Sequence, residues 1–281
     1  MADWRRRHYD EQCNRQQTAV EPHVLSVVRG VNSQRELAMP IEPTTWQSAL
    51  RSEVGNVRKH NEDSGLDRPD AGLWAVADGM GGHSAGDLAS QMIVNSLSKL
   101  KPTTNLSEQV DFVEHSILSV NNRLLELAKA NNQTIGSTVV ALLAVERFGV
   151  FLWAGDSRLY LLRDNKLTQL TTDHTQAQHY LERGLISRES AADHPAGNMV
   201  TRAVGASASL FLDIDIIEIL PGDRFLLCSD GLDKHVSDTE IETALNNGEP
   251  AAGVVDTLVD LTLERGANDN VTVCVVDPPS A

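Results

Sequence analysis

The sequence predicts an α+β domain in which helices cover the outer faces of antiparallel sheet. Three observations carry this. Short apolar or β-branched runs outnumber the helical stretches, turn residues separate several consecutive runs, and the helices come in consecutive pairs instead of alternating with strands. A first strand is read around residues 52–54, followed by runs at 73–77, 135–145, 150–154, 159–162, 214–219, 225–228 and 271–276. Arg147-Phe148-Gly149 and Asp164-Asn165-Lys166 read as hairpin turns, and Pro221-Gly222 as a further separator. Leu88, Met92, Ile93, Leu97 and Leu100 share one helical face after Gly86. Val110, Val113, Ile117, Val120, Leu124 and Leu127 keep a spacing of three or four along a longer helix. Ser237-Asp-Thr-Glu240 is a capping-box pattern that opens a third helix. Val254, Val255, Leu258, Val259 and Thr262 mark a fourth, stopped by Gly266.

The chain has 281 residues, of which 41% are hydrophobic, enough for one large domain or two small ones. With 24 basic and 39 acidic residues its formal charge is −15, which argues against nucleic acid or an anionic membrane as partner. The first 45 residues hold six arginines and six acids, so the whole surplus lies between Trp46 and Ala281. That polar, Gln-rich opening reads as a flexible N-terminal extension over 1–45, with a docking segment or an added edge strand as alternatives. Residues 46–281 are then read as the folded domain. Cys13, Cys228 and Cys274 are scattered and contain no CxxC pair, which fits a reducing compartment and neither a disulfide framework nor a zinc ribbon. The longest apolar run, Val139 to Val145, is too short to span a bilayer, and the opening MADWRRRHYDEQ lacks the apolar stretch of a signal peptide. A cytoplasmic location is expected.

Acids punctuate the ends of the strands. Residues 73–77 run into Asp78-Gly79, 150–154 into Gly155-Asp156, and 225–228 into Ser229-Asp230-Gly231. Asn268-Asp269-Asn270 directly precedes the last strand, and Asn61-Glu62-Asp63 follows the first. Aspartate is common in turns, so any one of these alone is unremarkable. Together, converging carboxylates would repel one another severely unless cations neutralised them. An all-oxygen ligand set points to Mg²⁺ or Mn²⁺ rather than zinc. The nine histidines include no HxH and no HExxH, which agrees. Two such cations can activate a water for in-line attack on phosphorus. Arg58, in the same stretch as Glu62 and Asp63, offers a bidentate fork for phosphate oxygens.

These motifs resemble the metal-dependent serine/threonine protein phosphatases, the protein phosphatase 2C-like family, and in particular its bacterial-type branch. The blocks are Gly55-Asn-Val-Arg-Lys-His-Asn-Glu-Asp-Ser64, Ala77-Asp-Gly-Met-Gly-Gly-His-Ser-Ala-Gly86, Gly136-Ser-Thr138 and Gly155-Asp-Ser-Arg158. They continue as Leu170-Thr-Thr-Asp-His174, Thr201-Arg-Ala-Val-Gly205, Cys228-Ser-Asp-Gly-Leu232 and Asn268-Asp-Asn-Val-Thr272. The resemblance implies a four-layer αββα sandwich, two central antiparallel sheets flanked by helix pairs. It implies two Mn²⁺ or Mg²⁺ ions: Asp78 bridging both, the Gly79 carbonyl on one, Asp230 and Asp269 completing one shell, and Glu62 serving the other. Asp63 resembles either a ligand or a residue that supports one. Asp156 with Asp230 resembles the pair that holds a third, weaker metal. Arg58 matches the phosphate-binding arginine, and residues from about Thr171 to Asn198 correspond to a mobile flap tied to substrate choice.

One position departs from many eukaryotic members. Met80 stands where they carry a histidine after Asp-Gly, and a thioether donates no proton. His83 is the candidate general acid in its place, with a metal-bound water as the rival. His174, His179 and His194 read as surface or packing residues. Gly82-His-Ser-Ala-Gly86 is a literal GxSxG, but Ser84 lies well past the strand end and no HGGG-type oxyanion segment appears. A binding-only pseudophosphatase is disfavoured by the intact Glu62, Asp78, Asp230 and Asp269. The reading is therefore a monomeric, metal-dependent hydrolase of phosphoserine and phosphothreonine in proteins, opposing a Ser/Thr kinase. A narrower role, dedicated to one regulator such as an anti-sigma-factor antagonist, stays open. No covalent phosphoenzyme is needed, so Cys228 should be dispensable.

Overall fold

Strands that are apolar on both faces must be covered on both faces, and the central strands of this chain meet that demand with two stacked sheets and two helical layers. The computed structural model describes residues 46–81, 85–187, 190 and 194–279. The extension read over 1–45 and the candidate acid His83 lie outside the described residues.

The chain runs through β1 (Gln47–Glu53), β2 (Asp63–Arg68), β3 (Leu73–Met80), α1 (Ala85–Leu97) and α2 (Leu106–Asn131). It continues through β4 (Gly136–Ser137), β5 (Val139–Val145), β6 (Phe148–Ala154), β7 (Arg158–Arg163), β8 (Lys166–Gln169) and α3 (Gln176–Glu182). It ends with β9 (Asp213–Glu218), β10 (Arg224–Cys228), α4 (Asp230–Asp233), α5 (Asp238–Leu245), α6 (Ala251–Glu264) and β11 (Val271–Asp277). One sheet has the order β1-β11-β10-β7-β8, and the other β2-β3-β5-β6-β9 with β4 beside β3. Among the described residues all the strand pairings are antiparallel.

The period-two alternation of side chains sorts the core into three layers. Trp74, Val76, Val140, Leu142 and Phe151 of one sheet meet Leu159, Leu161, Phe225, Leu227 and Val276 of the other, between the sheets. The intervening residues of β3 and β5, such as Leu73, Ala75, Ala141 and Leu143, face Ile93, Leu97, Val113 and Ile117 of α1 and α2. Leu226, Val273 and Val275 face Val254, Leu258 and Val259 of α6. The helix stripes read from the sequence are these buried faces except at Leu88, which is exposed because α1 turns Ala85, Ala89, Ile93 and Leu97 inward, and the expected αββα layering is what forms.

Local chemistry sets the ends. Asn105 caps α2 by accepting from the Glu108 N–H, and Asn132 closes it in the left-handed conformation at φ 51°. Ser237 and Glu240 form the expected capping box on α5. Asp164 and Asn165 both have positive φ, which suits the tight β7–β8 hairpin.

Several boundaries differ from the reading. The strand expected over 135–145 breaks at Thr138, because Thr138 leaves the ladder to hydrogen-bond with Asp78 through both its backbone and its hydroxyl. The β5–β6 turn uses Glu146, at φ 54°, while Phe148 and Gly149 already belong to β6. β1 starts well before residue 52, and Val54 lies beyond it. Leu100 packs in the core after α1 has ended at Leu97. Among the described residues no helix is long and apolar enough to cross a membrane.

Candidate active site

The strand ends bring the six acids to one edge of the sandwich. Asp63 opens β2 and stands directly opposite Asp78 on β3. Asp230 opens α4 straight after β10, and Asp269 and Asn270 lead into β11. Asp156 follows β6. Burial, and then Asp63, Asp230, Asp156 and Asp269 in turn, drive the Asp78 carboxyl well above the ordinary range. One desolvated carboxylate thus feels four others.

Hydroxyl and amide groups hold this arrangement from both sheets. Asp63 Oδ2 accepts from Ser229 Oγ at 2.7 Å and from Thr272 Oγ1 at 2.8 Å, which ties β2 to the opposite sheet. Asn270 pins the loop that carries Arg58 and Glu62. Its Oδ1 accepts from the Glu62 N–H at 2.8 Å, and its Nδ2 donates to the carbonyls of Val54 and His60. The Asp78 N–H donates to Thr138 Oγ1 at 3.0 Å, and Thr138 exchanges a hydrogen bond with Ser157 at 2.7 Å. Gly79 donates to the Glu62 carbonyl at 3.1 Å. A Cβ at Gly79 would lie 2.1 Å from the Gly86 carbonyl, so α1 approaches β3 closely only because both residues are glycine.

Two protein cations enter the cluster. Arg58 Nη2 donates to Asp269 Oδ2 at 2.8 Å, and Lys234 Nζ donates to Asp230 Oδ2. Further out, Arg158 joins Asp173 at 2.7 Å to Asp233 at 2.9 Å, linking the start of the 171–198 segment to α4. Burial nevertheless pushes Asp233 up to about 8, because desolvation outweighs the Arg158 charge. His174 anchors the same segment: its ring stacks on Trp153, its Nδ1 accepts from the Gly155 N–H, and its Nε2 lies 3.2 Å from Asp213. His174 is thus a buried packing residue, as read.

The donor set fits hard cations. Asp63 Oδ1 and Asp230 Oδ1 are buried oxygens with no hydrogen-bond partner. Burial, and then Asp230, push Asp156 up to about 7. Burial likewise raises Asp63 to about 7 against the pull of its two hydroxyl donors. Among the described residues no three acids are as yet drawn together tightly enough to hold an ion jointly. Cys228 and Cys274 are buried thiols pushed far above their ordinary range by desolvation, unsuited to nucleophilic attack.

These raised carboxyls have a consequence for stability. An aspartic acid that titrates near 3.9 unfolded and about 7 folded holds its proton more tightly in the fold. Its contribution is full below the unfolded value and is lost as pH rises through the folded one. Metal-free protein should therefore melt several degrees lower at pH 8 than at pH 5.5, since about 1 kcal/mol moves Tm roughly 2–4 °C in a domain of this size. Mn²⁺ should suppress the decline. Thermal unfolding at both pH values, with EDTA and with Mn²⁺, checks this, and a flat metal-free profile would contradict it.

Of the residues singled out by sequence, Arg58, Glu62, Asp63, Asp78, Asp156, Asp230 and Asp269 belong to this one cluster, and Gly79 joins it through its hydrogen bond to the Glu62 carbonyl. Asn270, Thr138, Ser157 and Ser229 were missed as organisers, although all four fall inside the motif blocks. Asp233 and Lys234 carried no signal beyond their spacing from Asp230.

An acidic, oxygen-lined centre at the strand ends of an αββα sandwich defines a class, and the family model for protein phosphatase 2C matches residues 57–272; the chain belongs to that family. Over 237 residues it is 36% identical to the serine/threonine phosphatase Stp of Listeria welshimeri, spanning 81% of this chain and 94% of the relative. Among solved structures it is similar to "PppA, a key regulatory component of T6SS in Pseudomonas aeruginosa", at 43% identity and a TM-score of 0.78, covering 83% of this chain and 98% of that one. It is also similar to the catalytic domain of the serine/threonine protein phosphatase PstP in complex with two manganese ions, at 36% identity and a TM-score of 0.74, covering 83% and 98%. The resemblance and the layered fold expected from it are borne out.

Proposed function

We propose that this chain hydrolyses phosphoserine and phosphothreonine in proteins, in the cytoplasm, as a monomer opposing a Ser/Thr protein kinase. The observation that carries the reading is the clustering of Asp63, Asp78, Asp156, Asp230 and Asp269 around one buried edge with Arg58 at its rim. The family membership and the manganese in the PstP structure support it.

Asp78 and the Gly79 carbonyl, with Glu62, would hold one cation, and Asp78 with Asp230 and Asp269 the other. When bound, two Mn²⁺ or Mg²⁺ ions supply an activated water and a charge clamp on phosphoryl oxygens. The chain's own residues do the rest. Asp63, buried between the sheets, holds β2 and its neighbour Glu62 in register with the opposite sheet. Asn270 fixes the Arg58–Glu62 loop. Arg58, half exposed and oriented by Asp269, presents its guanidinium to the phosphate of an incoming phosphoprotein. His83 would give the leaving hydroxyl its proton.

Phosphate release from a phosphothreonine peptide, measured with Mn²⁺, Mg²⁺ and EDTA, tests the reading. Release that survives EDTA, or its absence from folded, metal-loaded protein, would overturn it. Arg58→Ala should raise KM about 10–100-fold with a smaller change in kcat, because a charge-assisted hydrogen bond contributes roughly 1.5–3 kcal/mol. An unchanged KM would remove Arg58 from the phosphate site.

A further inference from the structure

The Asp156–Asp230 corner already contains a cation of the chain's own. Lys234 sits at the C-terminal cap of α4, and its backbone N–H closes the turn onto the Asp230 carbonyl at 3.2 Å. Four residues along a helix place two side chains one above the other. Lys234 Nζ accordingly pairs with Asp230 Oδ2, and about a third of the lysine side chain stays exposed. Asp230 divides its two oxygens: Oδ2 takes the ammonium, while Oδ1 is buried without a hydrogen-bond partner. The ammonium is felt beyond its partner. It opposes the upward push on the Asp156 carboxyl, and Asp230, Asp156 and Asp269 all act on it in return.

We propose that Lys234 is the resident cation of the Asp156–Asp230 corner, a fixed lysine charge standing where the family resemblance puts a third, weakly held metal ion. The proposal rests on the two-metal reading above and refines it. An ammonium is a compact point charge with three donors. Tethered one helical turn from Asp230, it balances the Asp156–Asp230 repulsion at any metal concentration. A divalent ion could enter this corner only by expelling the ammonium and breaking its pair with Asp230. Asp230 Oδ1 meanwhile remains available for the ion it shares with Asp78 and Asp269. Charge at the corner is thereby built into the chain, and its metal demand falls from three ions to two.

The test counts Mn²⁺ on the full chain, by calorimetric titration and by the electron paramagnetic resonance of free Mn²⁺. Wild-type protein should saturate at about two ions per chain, the number a two-metal site takes. Lys234→Gln and Lys234→Met should each saturate at about three, and adding Asp156→Asn to Lys234→Gln should return the count to about two. Two lysine variants are used so that a folding defect in one, seen by circular dichroism, leaves the other. Wild type binding three ions, the third lost in Asp156→Asn, would overturn the proposal. So would both folded lysine variants stopping at two. Wild type binding no Mn²⁺ would instead overturn the two-metal reading beneath it, a result distinct from either.

Discussion

Asp78→Asn is expected to lower kcat/KM by about 10³-fold or more while raising the thermal stability of the metal-free protein. The first effect follows from the position of Asp78 at the centre of the acidic cluster, where it would bridge both cations. Metal-assisted charge stabilisation amounts to several kcal/mol, and each 1.4 kcal/mol is a factor of ten in rate. The second follows from the cost of the carboxylate itself. Asp78 is desolvated and faces Asp63, Asp230, Asp156 and Asp269, so its charged form is unfavourable without cations. Asparagine keeps the shape and removes the charge. Relief of about 1 kcal/mol would lift Tm by roughly 2–4 °C. Phosphate release and scanning calorimetry in EDTA check the two halves. Near-normal turnover would displace Asp78 from the site, and a lowered metal-free Tm would show that repulsion is not what its burial imposes.

Gly231→Ala should damage both the fold and the site, although helix propensity favours the alanine by about 1 kcal/mol. Gly231 lies in α4, one residue after Asp230. A Cβ there would stand 1.9 Å from the Asn270 carbonyl oxygen, which belongs to backbone that cannot swing aside. Overpacking of this kind costs roughly 1–3 kcal/mol. The relief available is a shift of α4 from the start of β11, which separates Asp230 from Asp269. A displacement of about 1 Å at a catalytic centre can lower rate about 100-fold. The expected result is a Tm lower by several degrees and kcat/KM reduced about 100-fold, read by the same two measurements. Wild-type values for both would mean that α4 and β11 move freely past each other.

The candidate site was legible in the sequence to the extent that its residues sit in short, glycine-bearing blocks at strand ends. Asp78-Gly79 and Asp230-Gly231 announce themselves because an acid and a glycine terminate an apolar run. β2 did not, because Asp63-Ser-Gly-Leu-Asp-Arg68 holds a single large apolar residue, Leu66, and lies at the sheet edge where alternation is weak. The break at Thr138 was equally hidden. Residues 135–145 read as one strand, and only the pairing of Thr138 with Asp78 divides it. Lys234 could be seen to follow Asp230 by four residues, but a helix had to form there before that spacing had meaning.

The sequence by itself determined which segments are buried. The continuous apolar runs of β3, β5 and β10 mark strands covered on both faces, and the stripes on α1, α2 and α6 mark most of the helix positions that meet them, because the apolar content of a segment sets how much of it must leave water. It also determined the oxygen-only chemistry of the acids. The tertiary structure alone decided that these acids meet, and what neutralises them. Asp63 reaches Ser229 across 166 positions and Thr272 across 209, and Arg58 reaches Asp269 across 211. Periodicity carries no information over such distances. Which strand lies beside which is settled by packing two sheets into one core, and the charge balance of the site follows from that packing.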